Sequence, residues 1–218
     1  MVGIDRGVTV SAALSTGELL HVPCLRTSEQ QRLRQLQRKL ARARLGSNRR
    51  AKVKAQAARL RARETDRRKD WCEKTTTAVA GRFDVIRVED LHIAGMTWSA
   101  KGTVDAPSRN VTAKAALNRG IASSSWGQLV RRLEHKAPAR VQKVNPAHTS
   151  QRCSACGHTA PESRKSQALF RCVACAYTSN ADVNAARNIA AGRAVKARGG
   201  HRAAGPANRE PQLLLLTA

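Results

Sequence analysis

Val2-Gly3-Ile4-Asp5-Arg6-Gly7 opens the chain, a carboxylate seated inside an apolar, β-type run. Val8-Thr9-Val10-Ser11-Ala12-Ala13-Leu14 continues the pattern to a Ser15-Thr16-Gly17-Glu18 turn, and Leu19-Leu20-His21-Val22-Pro23 reads as the return strand, with Pro23 marking a ladder end or an edge. A second β-type run, Asp84-Val85-Ile86-Arg87-Val88, ends at Glu89-Asp90-Leu91, and Arg140 to Val144 is a further candidate strand. Helical texture separates them. From Ser28, a plausible N-cap, Leu33, Leu36 and Leu40 recur at helical spacing, and Gly46-Ser47-Asn48 breaks the run. A second stretch from Arg49 to Val79 carries Val53, Ala57 and Leu60 on one stripe, with Trp71 beyond. Strands alternating with helices predict an α/β fold, with a helical hairpin inserted at 26–80.

Charge is the outlier of the composition. Lys and Arg number 40 against 15 Asp and Glu, a formal +25 over 218 residues, while aromatics are only 3%. Residues 26–74 hold 18 cations and 5 acids, so the hairpin alone contributes +13. Such an excess repels itself unless a polyanion neutralises it, and nucleic acid is the usual one. No apolar run reaches the roughly 18 residues that a bilayer span needs, and no signal-peptide pattern opens the chain. A cytoplasmic, nucleoid-associated protein with no membrane partner is expected. Residues 94–120, rich in Gly, Ser, Thr, Asn and Lys, read as a mobile loop or lid. A helix is expected over Ser124 to His135, buried through Trp126, Leu129, Val130 and Leu133, and another from Ala181 to about Ala197. Residues 198–218 read as a disordered tail.

Two sets of side chains carry chemistry. Cys153-x-x-Cys156 and Cys172-x-x-Cys175 stand 15 residues apart, the spacing of a four-cysteine zinc ribbon, here over 148–179. Four thiolates complete a tetrahedron and leave no open position, so the ion is structural. Gly157 follows the first pair where the knuckle needs a tight turn; Ala176, after the second, is a poorer fit. Cys24 and Cys72 stand alone and read as small buried apolar residues. The second set is Asp5, Glu89 and Asp182, acids far apart in sequence. Divalent ions bridging them would offset the cost of burying carboxylates and would serve phosphodiester hydrolysis. Taken singly, Asp5 could be a turn residue, Glu89 a surface acid at a strand end, and Asp182 an N-cap.

In their order, these motifs resemble the TnpB family, insertion-sequence-encoded proteins related to the type V CRISPR effectors. Gly3-Ile4-Asp5-Arg6-Gly7 resembles the first RuvC motif, Glu89 matches the acid of the second, and Asp182-Val183-Asn184-Ala185-Ala186-Arg187-Asn188-Ile189 resembles the third. Thr149-Ser150-Gln151-Arg152-Cys153 through Gly157-His158 is similar to the family's ribbon opening. The resemblance spans about residues 2–195. It implies an RNase H-like (RuvC) mixed sheet over 1–147 and 180–197, with Asp5, Glu89 and Asp182 holding Mg²⁺ or Mn²⁺ and Cys153, Cys156, Cys172 and Cys175 holding zinc. It implies DNA as substrate, a guide RNA as partner of the intact member, and the hairpin lying along the guide–target duplex. The family's N-terminal recognition region has no counterpart ahead of Met1, so an N-terminally truncated member is expected. A non-catalytic zinc-ribbon remnant that binds DNA or RNA is the alternative reading. A ribosomal-type zinc-ribbon protein would fit the charge but leaves the Gly-Ile-Asp-x-Gly and Asp-x-Asn-Ala-Ala runs unexplained.

Overall fold

Alternation along the first strand sets the layering of the molecule. The computed structural model describes residues 1–100, 102 and 109–192. Its strands are β1 (Val2–Asp5), β2 (Ala12–Leu14), β3 (Leu19–Leu20), β4 (Ile86–Glu89), β5 (Val141–Val144), β6 (Leu169–Arg171) and β7 (Thr178–Asn180). Its helices are α1 (Thr27–Arg42), α2 (Asn48–Arg82), α3 (Ile93–Met96), α4 (Val111–Ser123), α5 (Trp126–Lys136) and α6 (Ala181–Ala190). Five strands form one sheet in the order β3-β2-β1-β4-β5; β2 is antiparallel to both neighbours, whereas β1, β4 and β5 run parallel. The register places Ile4 opposite Leu14 on one side and Val88 on the other.

Successive side chains of a strand point to opposite faces. Val2 and Ile4 join Leu14, Ile86 and Val88 in a core closed by Cys72 and Val79 of α2 and Leu129 and Leu133 of α5. Gly3 faces the other way, against α6. A Cβ there would lie 2.1 Å from the Ala186 carbonyl oxygen and 2.3 Å from the Ala190 nitrogen, so the helix seats on bare backbone. The first β-hairpin is shorter than its sequence pattern predicts. Gly7 N–H donates to the Val10 carbonyl at 3.0 Å, which turns the chain out of the ladder before Ala12. A Cβ at Gly7 would stand 2.7 Å from that oxygen, which accounts for the second glycine of the opening motif.

The 35-residue α2 is about 50 Å long at 1.5 Å per residue. Its second half lies under the sheet; its first half pairs with α1 through a separate small core of Leu36, Val53, Ala57 and Leu60. That is the expected hairpin. Glu29 starts α1 by accepting the Arg26 backbone N–H at 2.9 Å, so the helix begins at Thr27 and Ser28 is not its cap. The same carboxylate takes two bonds from Arg67 of α2, at 2.5 and 2.9 Å.

Three expectations need correction. Much of 94–120 is helical: α3 and α4 occupy it, because Ala113, Ala115, Ala116 and Leu117 are strong helix formers among the polar residues and Ile121 finds a buried seat. Cys24 is exposed, in the connector between β3 and α1, whereas Cys72 is buried as expected. Helix α6 stops at Ala190: Arg87 donates to its carbonyl at 2.6 Å, and Gly192 turns away at φ 64. Residues 193–197 of the longer helix expected there, and the tail expected over 198–218, lie outside the described residues. Among the described residues no helix is long and apolar enough to cross a membrane.

Candidate active site and metal centre

The pleat carries two of the three acids to one place. Asp5 lies two residues beyond Gly3 and shares its face, the face covered by α6. Glu89 stands in the same relation to Arg87, whose guanidinium reaches the end of α6. Both acids follow Ile4 and Val88, the last residues paired between the adjacent parallel strands β1 and β4. Helix α6 packs on these strands, with Ala186 and Ala190 against Gly3 and the Ala190 carbonyl on Arg87. Asp182 sits in that first turn, 4% exposed, and Glu89 is 8% exposed.

The single-residue alternatives lose their footing here. Asp5 belongs to a strand and Glu89 is not a surface acid. The N-cap of α6 is Asn180, whose Oδ1 accepts the N–H groups of Asp182 and Val183 at 3.0 and 3.1 Å. That leaves the Asp182 carboxylate available for other partners. Arg164 approaches its Oδ1 at 3.2 Å, and burial pushes the carboxyl up from its ordinary range while the guanidinium opposes that rise.

Arg6 is buried at 6% exposure, and its guanidinium donates to the Glu89 carbonyl oxygen. Burial pushes it below the ordinary arginine range, against the charges of Glu89, Asp5 and Asp90. Sequence reasoning missed both arginines. Among so many basic residues nothing singled them out, although Arg6 lies beside the motif's acid.

Among the described residues, the group of three or more metal-ligating side chains gathered within 4.8 Å is Cys153, Cys156, Cys172 and Cys175. Their sulfurs lie 3.8 Å (Cys153 to Cys175) and 3.6 Å (Cys156 to Cys172) apart. A tetrahedron of thiolates about an ion at about 2.3 Å has edges of about 3.8 Å, so the quartet is positioned to bind a metal ion. Backbone N–H groups, that of Cys175 foremost, bring the Cys172 thiol down to about 6.

The two knuckles are built alike. Cys153 N–H bonds to His158 O at 2.8 Å and Gly157 N–H to Cys153 O at 2.9 Å; Cys172 N–H bonds to Tyr177 O at 2.9 Å and Ala176 N–H to Cys172 O at 3.1 Å. Both turns need a left-handed residue, Gly157 at φ 81 and Ala176 at φ 58. Alanine is strained there by about 1–2 kcal/mol. Ala176→Gly is therefore expected to stabilise the ribbon by about 1 kcal/mol, read as a higher chelator concentration at half-unfolding. No gain would mean that the turn relaxes in solution.

The three carboxylates are not gathered as tightly as the thiolates. As a donor set they offer oxygen alone, which suits a hard divalent cation. A pair of ions about 3.5–4 Å apart, each with oxygens at about 2 Å, accepts donors spread over up to about 8 Å. By donor chemistry, three carboxylates suit such a group.

On α1 and α2 the acids Glu29, Glu64, Asp70 and Glu73 are engaged in ion pairs, with Arg67, Arg68, Lys74 and the Arg132–Lys136 pair of α5. Arg32, Arg34, Arg38, Arg49, Lys52 and Arg59 are among the cations exposed along the hairpin.

Sheet, hairpin and ribbon place the chain in the class of mixed α/β proteins with a cysteine metal knuckle set just ahead of the last helix. Two family models match it: "Probable transposase" over residues 1–100 and "Cas12f1-like, TNB domain" over 126–189. Along these two stretches the chain is similar to the TnpB-like family of insertion-sequence-encoded proteins. It is 46% identical to the "Putative RNA-guided DNA endonuclease InsQ" of Escherichia coli K12 over 203 residues, 91% of this chain and 50% of the relative. A "Putative RNA-guided DNA endonuclease" of Streptomyces pristinaespiralis is 32% identical over 205 residues, 91% of this chain and 46% of the relative. The chain thus spans about half the length of these curated relatives. Among solved structures it is similar to Cas12f1 in complex with sgRNA and target DNA, with TM-score 0.48 and 23% identity over 87% of this chain and 49% of that one.

Proposed function

We propose that this chain is the catalytic core of a metal-dependent DNA endonuclease of the RNA-guided kind, with Asp5, Glu89 and Asp182 as its acidic centre. One observation carries the reading. Asp5 and Glu89 end neighbouring parallel strands on the face that α6 packs against, and Asp182, its cap duty taken by Asn180, is buried in the first turn of that helix. The strand order β3-β2-β1-β4-β5 with only β2 reversed supports an RNase H-like sheet over 1–147 and 180–197, with the ribbon over 148–179 inserted in it.

Mg²⁺ or Mn²⁺ bound between the three carboxylates would activate the attacking water and stabilise the leaving oxygen in phosphodiester hydrolysis. The chain's own residues hold that centre in shape. Arg6 ties the end of β1 to the backbone of Glu89, and Arg164 pairs with Asp182 and opposes the rise that burial imposes on its carboxyl. In the ribbon the ion is zinc, closed off by four thiolates and without a catalytic position. The exposed cations of α1 and α2 take the nucleic-acid backbone by charge, which makes binding steeply salt-dependent. DNA is the substrate. A guide RNA is the partner of the assembled nuclease.

The purified chain, given labelled single-stranded DNA and Mn²⁺, is expected to nick it. Asp5→Ala and Asp182→Ala should lower that rate by at least about 100-fold, the scale for losing one group that stabilises the transition state. Equal cleavage by wild type and both variants would overturn the assignment. Salt-sensitive binding without any metal-dependent product would leave a nucleic-acid-binding protein in its place.

A further inference from the structure

A hydroxyl joins Glu89 of the acidic centre to the stem of the metal ribbon. Thr149, 4% exposed, precedes the first knuckle and donates to Glu89 Oε1 at 2.5 Å. Its hydroxyl has one hydrogen and a second acceptor in reach, the Pro146 carbonyl at 3.1 Å. The carboxylate takes the proton: its contact is the shorter one and falls in the range of charge-assisted O–H···O⁻ bonds.

Thr149 is itself suspended from α6. Asn188 Nδ2 donates to the Thr149 carbonyl at 2.9 Å and to the Arg152 carbonyl at 2.7 Å. One turn earlier on α6, Asn184 donates to the same Arg152 carbonyl at 2.7 Å and accepts the Ser154 N–H at 2.9 Å. The helix that presents Asp182 therefore also holds the support of Glu89. The stem it grips runs directly into Cys153.

Resting on the endonuclease reading above, we infer that Thr149 is a positioning residue for the divalent-ion site, acting through Glu89. A carboxylate offers about four lone-pair sites. Thr149 uses one of them, on Oε1. It also holds the side chain in one orientation, so less rotamer freedom is lost when an ion binds. Groups that hydrogen-bond a metal ligand in this way are typically worth about 10–100-fold in metal affinity. A merely structural Thr149, closing the turn from Pro146 to Arg152, would influence the ribbon and leave ion affinity unchanged.

The test is Mn²⁺ binding to the full chain with its ribbon zinc-loaded, followed by electron paramagnetic resonance, which needs no turnover. Thr149→Val exchanges the hydroxyl for a methyl of the same shape, and Thr149→Ser keeps the hydroxyl. The valine variant is expected to bind Mn²⁺ about 10-fold more weakly and the serine variant to recover wild-type affinity. In a Glu89→Gln background the valine substitution should cost nothing further, because its route to the ion is gone.

Equal Mn²⁺ affinity in wild type and Thr149→Val overturns the inference and leaves the endonuclease reading standing. An equal loss in the Glu89→Gln background overturns it as well, since the effect would then be structural. Wild-type protein that binds no Mn²⁺, or binds it as well after Asp182→Ala, overturns the acidic centre itself.

Discussion

Gly3→Ala is expected to lower the stability of this protein by about 3 kcal/mol or more. The new methyl carbon would enter the backbone of α6, at 2.1 Å from the Ala186 oxygen, 2.3 Å from the Ala190 nitrogen and 2.8 Å from the Ala190 Cα. Flexible side-chain tips can move out of such a contact at little cost; helix backbone cannot. The strand has no slack either, because Val2 and Ile4 are locked into the core on its other face. The helix must therefore lift away from β1, taking Asp182 with it and opening the buried layer formed by Val183, Ala186 and Ile189. Urea unfolding of the whole chain reads the loss, with Gly81→Ala as the contrast. A Cβ at Gly81 meets nothing within 4 Å, and in α2 alanine should stabilise by about 0.5–1 kcal/mol. A Gly3→Ala protein with the wild-type midpoint would mean that α6 does not seat on β1.

Removing the ribbon metal is expected to have the larger effect. Segment 148–179 has little core beyond Phe170, Cys153 and Cys172, packed against Ala181 of α6, so ion binding and folding there are one event. Structural zinc contributes apparent free energies of about 10–16 kcal/mol in small ribbon-like domains, far above what this cluster supplies alone. After chelation the amide resonances of 148–179 should collapse to random-coil positions and return on adding zinc. The loss should spread inward, because Asn184 and Asn188 would leave α6 with buried amides that have lost the Arg152 and Thr149 carbonyls. An unchanged spectrum for that segment would refute the coupling of metal to fold.

Much of the architecture was legible because it rests on local pattern. The alternation around Asp5, the apolar run before Glu89 and the leucine spacing of α1 are written in neighbouring residues, and they become β1, β4 and the α1–α2 hairpin. The failures have a shared cause. Polar content disguised α4, whose buried anchor Ile121 shows only once neighbours exist. Cys24 looked like a core residue because cysteine usually is one, yet in its connector the neighbouring Leu25 takes the buried position and Cys24 is exposed. The short β2 could not be read from its pattern, since Val8 to Val10 alternate as a strand would but are turned out of the ladder by the Gly7 bond to Val10.

By itself, the sequence determined which residues could do chemistry: four cysteines at metal spacing, acids inside apolar runs, and a hairpin with more charge than a globular surface tolerates. Each of these depends on residue type and spacing along a few turns or strands, where the chain's own geometry leaves little choice. Only the tertiary structure decided how the groups are held. Gly3 meets α6, Asn180 takes the cap that Asp182 could have filled, and Arg6, Arg164 and Thr149 reach the acids across separations from 18 to 83 residues. Contacts of that length carry no periodic signature, because they arise from packing two elements whose sequences are blind to each other until the core forms.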